Sequence, residues 1–456
     1  MPLMLALRRC LQWSLLALPL ALAGCGGGGT GAGNASPLSI AADGCGLQES
    51  KPWLLDYMQD QYLWYARMPN VDASAHASLS SYFAALLYPG GNLEPSTPDL
   101  WSYVEPTASY EQFFSEGRTL GYGIAVAGLE LKGRPTEALR IRYVEPNSPA
   151  AAAGLRRGDI VLSLNGVSSG EMIARNDFSL LTPRAAGDYL AVRIRTTAGE
   201  RVVTVAAAVF DLTPVSTSIV LHSPAGKSIG YLLVKDFIGQ ANAPLEDAFG
   251  RFNSAGVSEL VLDLRYNGGG LVGVARDLAA YIGGGQSSAD TFATLKFNDK
   301  KQYQNINYAF FQPASRLKLT RVFILSGRRT CSASELVING LKPFVDVVQI
   351  GDTTCGKPVG FVPVSRCGNT FNAVNFESFN AVGQGRYWNG LVPTCRVADE
   401  FLLPLGDADE SLLAAARHYA DNGACPVSVQ SGKPRGARTS EFDAVEPGER
   451  QGMWLR

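Results

Sequence analysis

The sequence predicts an α/β protein with a largely parallel sheet in its C-terminal half. Strand-like apolar runs at Ile229–Phe237, Leu260–Leu264, Arg321–Leu325 and Val347–Ile350 alternate with helix-like stretches near 244–253, 271–282 and 333–344. Such alternation is the pattern of βαβ units, whose strands run parallel and are covered by helices. A triple-glycine turn, Gly268 to Gly270, falls at one of the strand-to-helix junctions. The chain has 456 residues, of which 46% are hydrophobic, enough for a globular protein of two or three domains.

Taken in order, the first segment reads as an address. Arg8 and Arg9 precede a short apolar run from Leu11 to Leu22, which ends in Leu22-Ala-Gly-Cys25. The apolar run alone fits any cleaved secretory signal. A cysteine at the cut adds the lipobox reading, with residues 1–24 removed and Cys25 lipidated. Gly26 rather than aspartate follows that cysteine, which points to the outer membrane of a Gram-negative envelope, facing the periplasm. No later run is long and apolar enough to span a bilayer, so the expected partner is a membrane reached through a lipid anchor. Residues 25–44 are Gly-rich and read as a flexible tether.

From 45 to 108 the pattern is helical. Trp53, Leu54, Tyr57, Met58, Tyr62, Leu63 and Tyr65 recur at helical spacing, and a second stretch runs from Ser78 to Leu87. These aromatics suit an apolar face packed on a larger body, a small helical cap domain. Residues 109–208 form a second region, 209–425 the α/β core with a closing helix over Glu410–Ala420, and 426–456 a polar, Gly/Pro-punctuated tail expected to be disordered. The net charge is −1 and no basic tract occurs, so a nucleic-acid partner is not expected.

The chemistry-bearing stretch is Thr330-Cys-Ser-Ala-Ser-Glu335, followed by Asp352-Thr-Thr-Cys-Gly-Lys-Pro-Val-Gly360. A serine hydroxyl needs a partner to take its proton. The three histidines, His76, His222 and His418, have no surroundings that suggest catalysis. A lysine serves if burial lowers its pKa from about 10.4 toward neutrality. Lys357 lies in apolar, Gly/Pro-rich sequence that suits a desolvated amine. Ser332-x-x-Glu335 before an apolar run is also a capping box, and the two readings are compatible. A serine at a helix N-terminus has backbone N–H groups and the positive dipole end beside it, as an oxyanion requires. Asp263-Leu-Arg-Tyr-Asn-Gly-Gly-Gly270 supplies a second backbone-rich turn. It lacks the Gly-Lys-Ser/Thr of a phosphate loop.

Together these residues resemble the S41 family of serine peptidases, the C-terminal processing or tail-specific proteases. The family's Asp-Leu-Arg-x-Asn-x-Gly-Gly stands here at 263–270, its Ser-Ala-Ser-Glu at 332–335 and its Gly-Lys at 356–357. The nucleophile-to-lysine separation, 357 − 332 = 25, matches as well. The resemblance implies a crotonase/ClpP-like core, Ser332 as nucleophile, Lys357 as general base, and the Gly269 and Ala333 N–H groups as oxyanion donors. It implies no cofactor and no metal, and as partners polypeptides with exposed C-termini. Many members carry a glutamine four residues after the lysine; here that position is Phe361. This departure motivates the alternative of an inactive peptide- or ligand-binding lipoprotein on the same fold.

By resemblance, 109–208 is an inserted PDZ domain. Gly121-Tyr122-Gly123-Ile124 stands where such domains bind a peptide carboxylate, and Ser148 to Gly166 matches their helix, turn and strand. The module would take a peptide by strand addition or serve only as a packing element.

Six cysteines remain after Cys10 and Cys25, an even set that in an exported protein suggests disulfides. No CxxC or histidine spacing suggests zinc. If Lys357 takes the proton of Ser332, the neighbouring Cys331 and Cys355 lie close enough to bond. Cys331–Cys355 is therefore expected, clamping the two turns in place of the missing glutamine. Cys367–Cys395 and Cys45–Cys425 complete the expected set.

Overall fold

The computed structural model describes residues 44–92, 94–283, 287–427 and 452–455. The predicted leader, the lipidation site Cys25 and the tether up to residue 43 lie outside the described residues, as does 428–451 of the predicted disordered tail.

The N-terminal region is helical, as its periodicity predicts. Helix α1 (Leu47–Gln61) buries Leu54 and Met58, four residues apart, and α2 (Leu79–Leu86) buries Tyr82, Phe83 and Leu86. The α2 helix starts where Ser78 Oγ accepts the Ser81 N–H at 3.1 Å. Strand β1 (Tyr103–Pro106) and helix α3 (Thr107–Phe114) follow. The PDZ-like region comprises β2 (Arg118–Gly121), β3 (Ile124–Val126), β4 (Ile141–Val144), α4 (Pro149–Ala152), β5 (Ile160–Leu164) and β6 (Val167–Ser168), then α5 (Ser169–Arg175), β7 (Tyr189–Thr196), β8 (Gly199–Ala206) and β9 (Ala208–Asp211). It has its own apolar core, with Val126, Ile141, Leu164 and Val192 fully buried.

The last and largest region starts with β10 (Val215–His222), β11 (Ser228–Val234), α6 (Asn242–Ser254), β12 (Glu259–Asp263), β13 (Gly269–Leu271) and α7 (Val272–Ile282). It continues with β14 (Thr291–Phe297), β15 (Ile306–Ala309), β16 (Arg321–Ser326), α8 (Ala333–Leu341), β17 (Asp346–Gly351) and β18 (Val359–Phe361). It closes with β19 (Val364–Arg366), β20 (Asn369–Asn372), β21 (Val374–Phe379), β22 (Cys395–Arg396), α9 (Ser411–Asn422) and β23 (Gly452–Trp454). One sheet has the order β10-β11-β12-β16-β17-β22 and is parallel from β11 onward, with β10 antiparallel at its edge.

Burial on both faces explains why these strands read as unbroken apolar runs. Leu232, Leu260, Leu262, Val322 and Ile324 point into the core with α6, α7 and α8. The intervening Tyr231, Val261, Phe323 and Leu325 pack with α9 on the other face. The second sheet, β13-β23-β18-β21-β14-β15, is mixed. The parallel-sheet expectation thus holds for one layer, while the second layer uses short strands whose pattern carries no clear period.

Two expectations are corrected. Cys331–Cys355 is bonded, but the other pairs are Cys45–Cys367 and Cys395–Cys425, with Cα separations of 5.4 and 5.6 Å, and not Cys367–Cys395 and Cys45–Cys425. Cys367 lies in the turn between β19 and β20, a pair that β20 joins to β1 beside the start of α1. Cys395 lies instead in β22 on the far edge of the parallel sheet, where α9 returns Cys425. The second correction concerns the tail: Gly452–Trp454 is a strand between β13 and β18, with Met453 fully buried.

Candidate active site

Strand β12 ends in the Asp263-Leu-Arg265 motif, which is held as a buried ionic knot. Arg265 donates to both carboxylate oxygens of Glu410 at 2.7 and 2.8 Å, and its Nε donates to Asp263 at 3.0 Å. A bidentate guanidinium–carboxylate pair fixes direction as well as distance. The chain leaving the knot is therefore aimed, and Asn267 follows it as a hub. Its Nδ2 donates to the Val234 carbonyl at 3.1 Å, and its own carbonyl accepts the Cys331 N–H at 3.1 Å and the Ser334 hydroxyl at 2.9 Å. The Asp-Leu-Arg-x-Asn stretch thus joins the glycine turn to the serine turn.

Ser332 immediately precedes α8 with φ 58° and ψ −111°, a region that side-chain-bearing residues rarely adopt and that surrounding contacts must hold. Its hydroxyl is buried and makes no hydrogen bond among the described residues. Its N–H donates to Glu335 Oε2 at 2.9 Å. Ala333 opens α8, so its N–H has no intrahelical acceptor and projects from the positive end of the helix. The Gly269 N–H is differently placed: it donates to Asn267 Oδ1 at 2.8 Å. Of the two expected oxyanion donors, the Ala333 N–H thus opens the helix, while the Gly269 N–H is engaged with Asn267.

Lys357 is fully buried on the turn before β18. Its ammonium nitrogen lies 4.0 Å from the Phe361 ring centre and 5.2 Å from that of Trp101. Burial pushes its pKa down to about 7, against the opposing charges of Asp99 and Glu335. A substantial share of the amine is thereby neutral near neutral pH. Asp99 belongs to the N-terminal region. It accepts hydrogen bonds from the Tyr62 hydroxyl at 2.6 Å and from the Trp101 and Ser102 N–H groups at 2.9 and 3.0 Å.

Besides a backbone hydrogen bond from the Cys355 N–H to the Thr330 carbonyl at 3.0 Å, two links hold the serine and lysine turns together. The Cys331–Cys355 disulfide spans 5.1 Å between Cα atoms. Glu335 is the second. Besides the Ser332 N–H it accepts the Lys357 N–H at 2.8 Å, the Gly356 N–H at 2.8 Å and the Thr354 hydroxyl at 2.5 Å. Burial raises the Glu335 pKa, and these hydrogen bonds pull it back. The sequence shows Glu335 as a helix cap and as the end of the Ser-Ala-Ser-Glu motif. Its grip on the lysine turn, and the parts of Asp99 and Trp101, have no local signal because they depend on distant segments meeting; Asn267 is marked by its motif, but its hub role is not.

The PDZ-like loop also faces the core. Gly121, Tyr122, Gly123 and Ile124 line a cavity shared with Gly268 and Arg329. Gly123 has φ +80° and no room for a side chain, since a Cβ there would stand 2.0 Å from that of Ser148. Arg329, three residues before Ser332, pairs with Glu130 at 3.0 Å.

Three family descriptions match the chain in order. These are the peptidase S41 N-terminal domain over residues 49–103, a PDZ domain over 140–176 and peptidase family S41 over 228–373. Among characterised relatives, the chloroplastic carboxyl-terminal-processing peptidase 1 of Arabidopsis thaliana is 27% identical over 256 residues, covering 54% of this chain and 51% of its own. The carboxy-terminal processing protease CtpA of Bacillus subtilis is 24% identical over 320 residues, covering 68% and 65%. The chain spans about half the length of the first of these relatives. A crystal structure of a putative S41 protease from Bacteroides fragilis superimposes with a TM-score of 0.63 at 25% identity, over 82% of this chain and 97% of that one. The photosystem II D1 C-terminal processing protease shares the fold, with a TM-score of 0.51 at 19% identity over 78% of this chain and 94% of its own.

Proposed function

The chain belongs to peptidase family S41, and we propose that it is a serine endopeptidase in which Ser332 attacks the peptide carbonyl and Lys357 is the general base. The observation that carries this reading is a fully buried lysine with a pKa near 7, on a turn tied to the serine's by Glu335 and a disulfide. The neutral amine takes the hydroxyl proton as Ser332 Oγ bonds to the carbonyl carbon. The oxyanion that forms meets the Ala333 N–H at the positive end of α8. The ammonium then gives its proton to the leaving amine, and an acyl-enzyme remains. Water, deprotonated by Lys357, releases the second product as a carboxylic acid. The unpartnered hydroxyl must swing toward Lys357, to about 3 Å or to a bridging water. Such tightening on substrate binding is ordinary for catalytic hydrogen bonds in unliganded enzymes.

The substrates are unfolded proteins or exposed C-terminal tails, as the names of the processing peptidases among its relatives suggest. The Leu22-Ala-Gly-Cys25 pattern supports a lipid anchor at Cys25 and a site of action in the bacterial envelope, at the outer membrane facing the periplasm. Among the described residues no helix is long and apolar enough to cross a membrane. A fluorophosphonate probe tests the reaction: Ser332 should be labelled, and both Ser332→Ala and Lys357→Ala should lose cleavage of an unfolded protein while remaining folded. Folded protein that neither labels nor cleaves would instead be a peptide-binding lipoprotein. Chelators should leave the rate unchanged, and Cys25→Ser should release the protein from membranes.

A further inference from the structure

β13, which begins in the glycine turn, and β18, which begins two residues after Lys357, do not pair with each other. Their sheet is continuous only because β23 lies between them, leaving a gap one strand wide, about 10 Å between the two outer backbones. Gly269, Gly270 and Leu271 pair in parallel with Gly452, Met453 and Trp454. On the other side Phe361 pairs with Trp454, and the Leu455 N–H donates to the Phe361 carbonyl at 3.0 Å.

The inserted strand packs against the elements that carry the reaction centre. Helix α8, which begins one residue after Ser332, packs against both β13 and β23. Met453 is fully buried in the same apolar cluster as Ala333 and Leu336. Gly360 in β18 has no room for a side chain, since a Cβ there would stand 2.3 Å from the Phe376 ring and 2.6 Å from the Met453 carbonyl. A short extended segment is thus held by its main chain on both edges, between the strand that follows the glycine turn and the strand that follows the lysine.

Resting on the Ser332/Lys357 reading, we propose that the gap between β13 and β18 is the peptide slot of the active site. It takes an extended segment with an apolar side chain at the place of Met453, and Gly452–Leu455 is its internal occupant, which external peptide must displace. Strand addition explains the chemistry: main-chain hydrogen bonds supply affinity regardless of sequence, and the buried pocket selects the side chain. An occupant in the same chain competes at an effective concentration set by its linkage, so even a weak segment holds the slot.

Binding can be read without hydrolysis. In a Ser332→Ala background, a fluorescein-labelled Gly-Met-Trp-Leu peptide is titrated into the full chain and into a chain ending at Val427, with anisotropy as the readout. The shortened chain should bind at least about tenfold more tightly, and the full chain carrying Met453→Asp should shift in the same direction. In the Ser332 background the shortened chain should cleave unfolded casein with lower KM, and the unlabelled peptide should inhibit it competitively. Equal binding by all forms, or binding by none, overturns the proposal. So does collapse of the shortened chain, seen as lost near-ultraviolet dichroism, together with unchanged peptide binding by the Met453→Asp chain, because β23 would then be a fixed strand of the fold. Tight peptide binding by a shortened chain that never cleaves would uphold the slot and overturn the catalytic reading.

Discussion

The Phe361 ring centre lies 4.0 Å from the ammonium nitrogen of Lys357, at the position where many S41 peptidases have glutamine. An amide there would orient the amine by a hydrogen bond. The ring holds it by packing and excludes water, which is why burial dominates the Lys357 pKa.

Replacing Phe361 with alanine should therefore have two effects. A fully buried phenylalanine is lost from the core, at a cost of about 3–5 kcal/mol in urea denaturation. Water admitted beside Lys357 should raise its pKa, moving the acid limb of kcat/KM to higher pH.

The acid limb itself should fall with an apparent pKa near 7, activity being lost as pH drops and the amine gains its proton. Asp99 opposes the shift, so Asp99→Asn should move the limb to lower pH. Stability carries the same signature. Between pH 7 and an unfolded value of about 10.4 the unfolded chain binds a proton that the folded one does not, so stability rises with pH through that window. Lys357→Met should flatten that rise in thermal melts recorded from pH 7 to 10.

Glu335→Gln keeps the shape but turns an acceptor into a donor against the N–H groups it now holds. Losing hydrogen bonds to a buried carboxylate should cost about 1.5–3 kcal/mol each. The expected outcome is a lower urea midpoint together with weaker fluorophosphonate labelling of Ser332, since both turns lose their common anchor. Unchanged labelling would show that the disulfide and the Cys355–Thr330 backbone bond set the geometry without Glu335.

Peptide mapping of unreduced protein should recover Cys331–Cys355, Cys45–Cys367 and Cys395–Cys425. A double Cys331→Ala, Cys355→Ala variant should lose about 3 kcal/mol, as expected for a loop of this length, and should cleave more slowly with Glu335 intact.

The parallel sheet was legible because Leu260 to Leu262 and Val322 to Leu325 are apolar on both faces, so their runs are unbroken. Ser332 and Lys357 were legible because each sits in a local motif. The pairing of Cys331 with Cys355 follows from the expectation that the serine and lysine turns lie side by side. Cys367 and Cys395 were misjudged because their neighbours in sequence say nothing about β1 or α9, which decide their partners. Asp99 was invisible for the same reason: its influence on Lys357 arises only where the N-terminal region folds over the core. Met453 was read as part of a polar tail, since three apolar residues carry no signal until two open strand edges receive them.

The Cys45–Cys367 bond joins residues 322 positions apart, two residues before α1 begins. Its consequence is mechanical. A pull arriving through the chain ahead of Gly44 enters the body at Cys45 and passes across sulfur into the turn between β19 and β20. That turn belongs to the three-stranded sheet completed by β1, so tension is shared among strands and does not peel α1 away turn by turn. An enzyme hung from a membrane by its leading end would keep the Asp99 side of its lysine pocket assembled under load. Force spectroscopy should find α1 yielding early only after reduction.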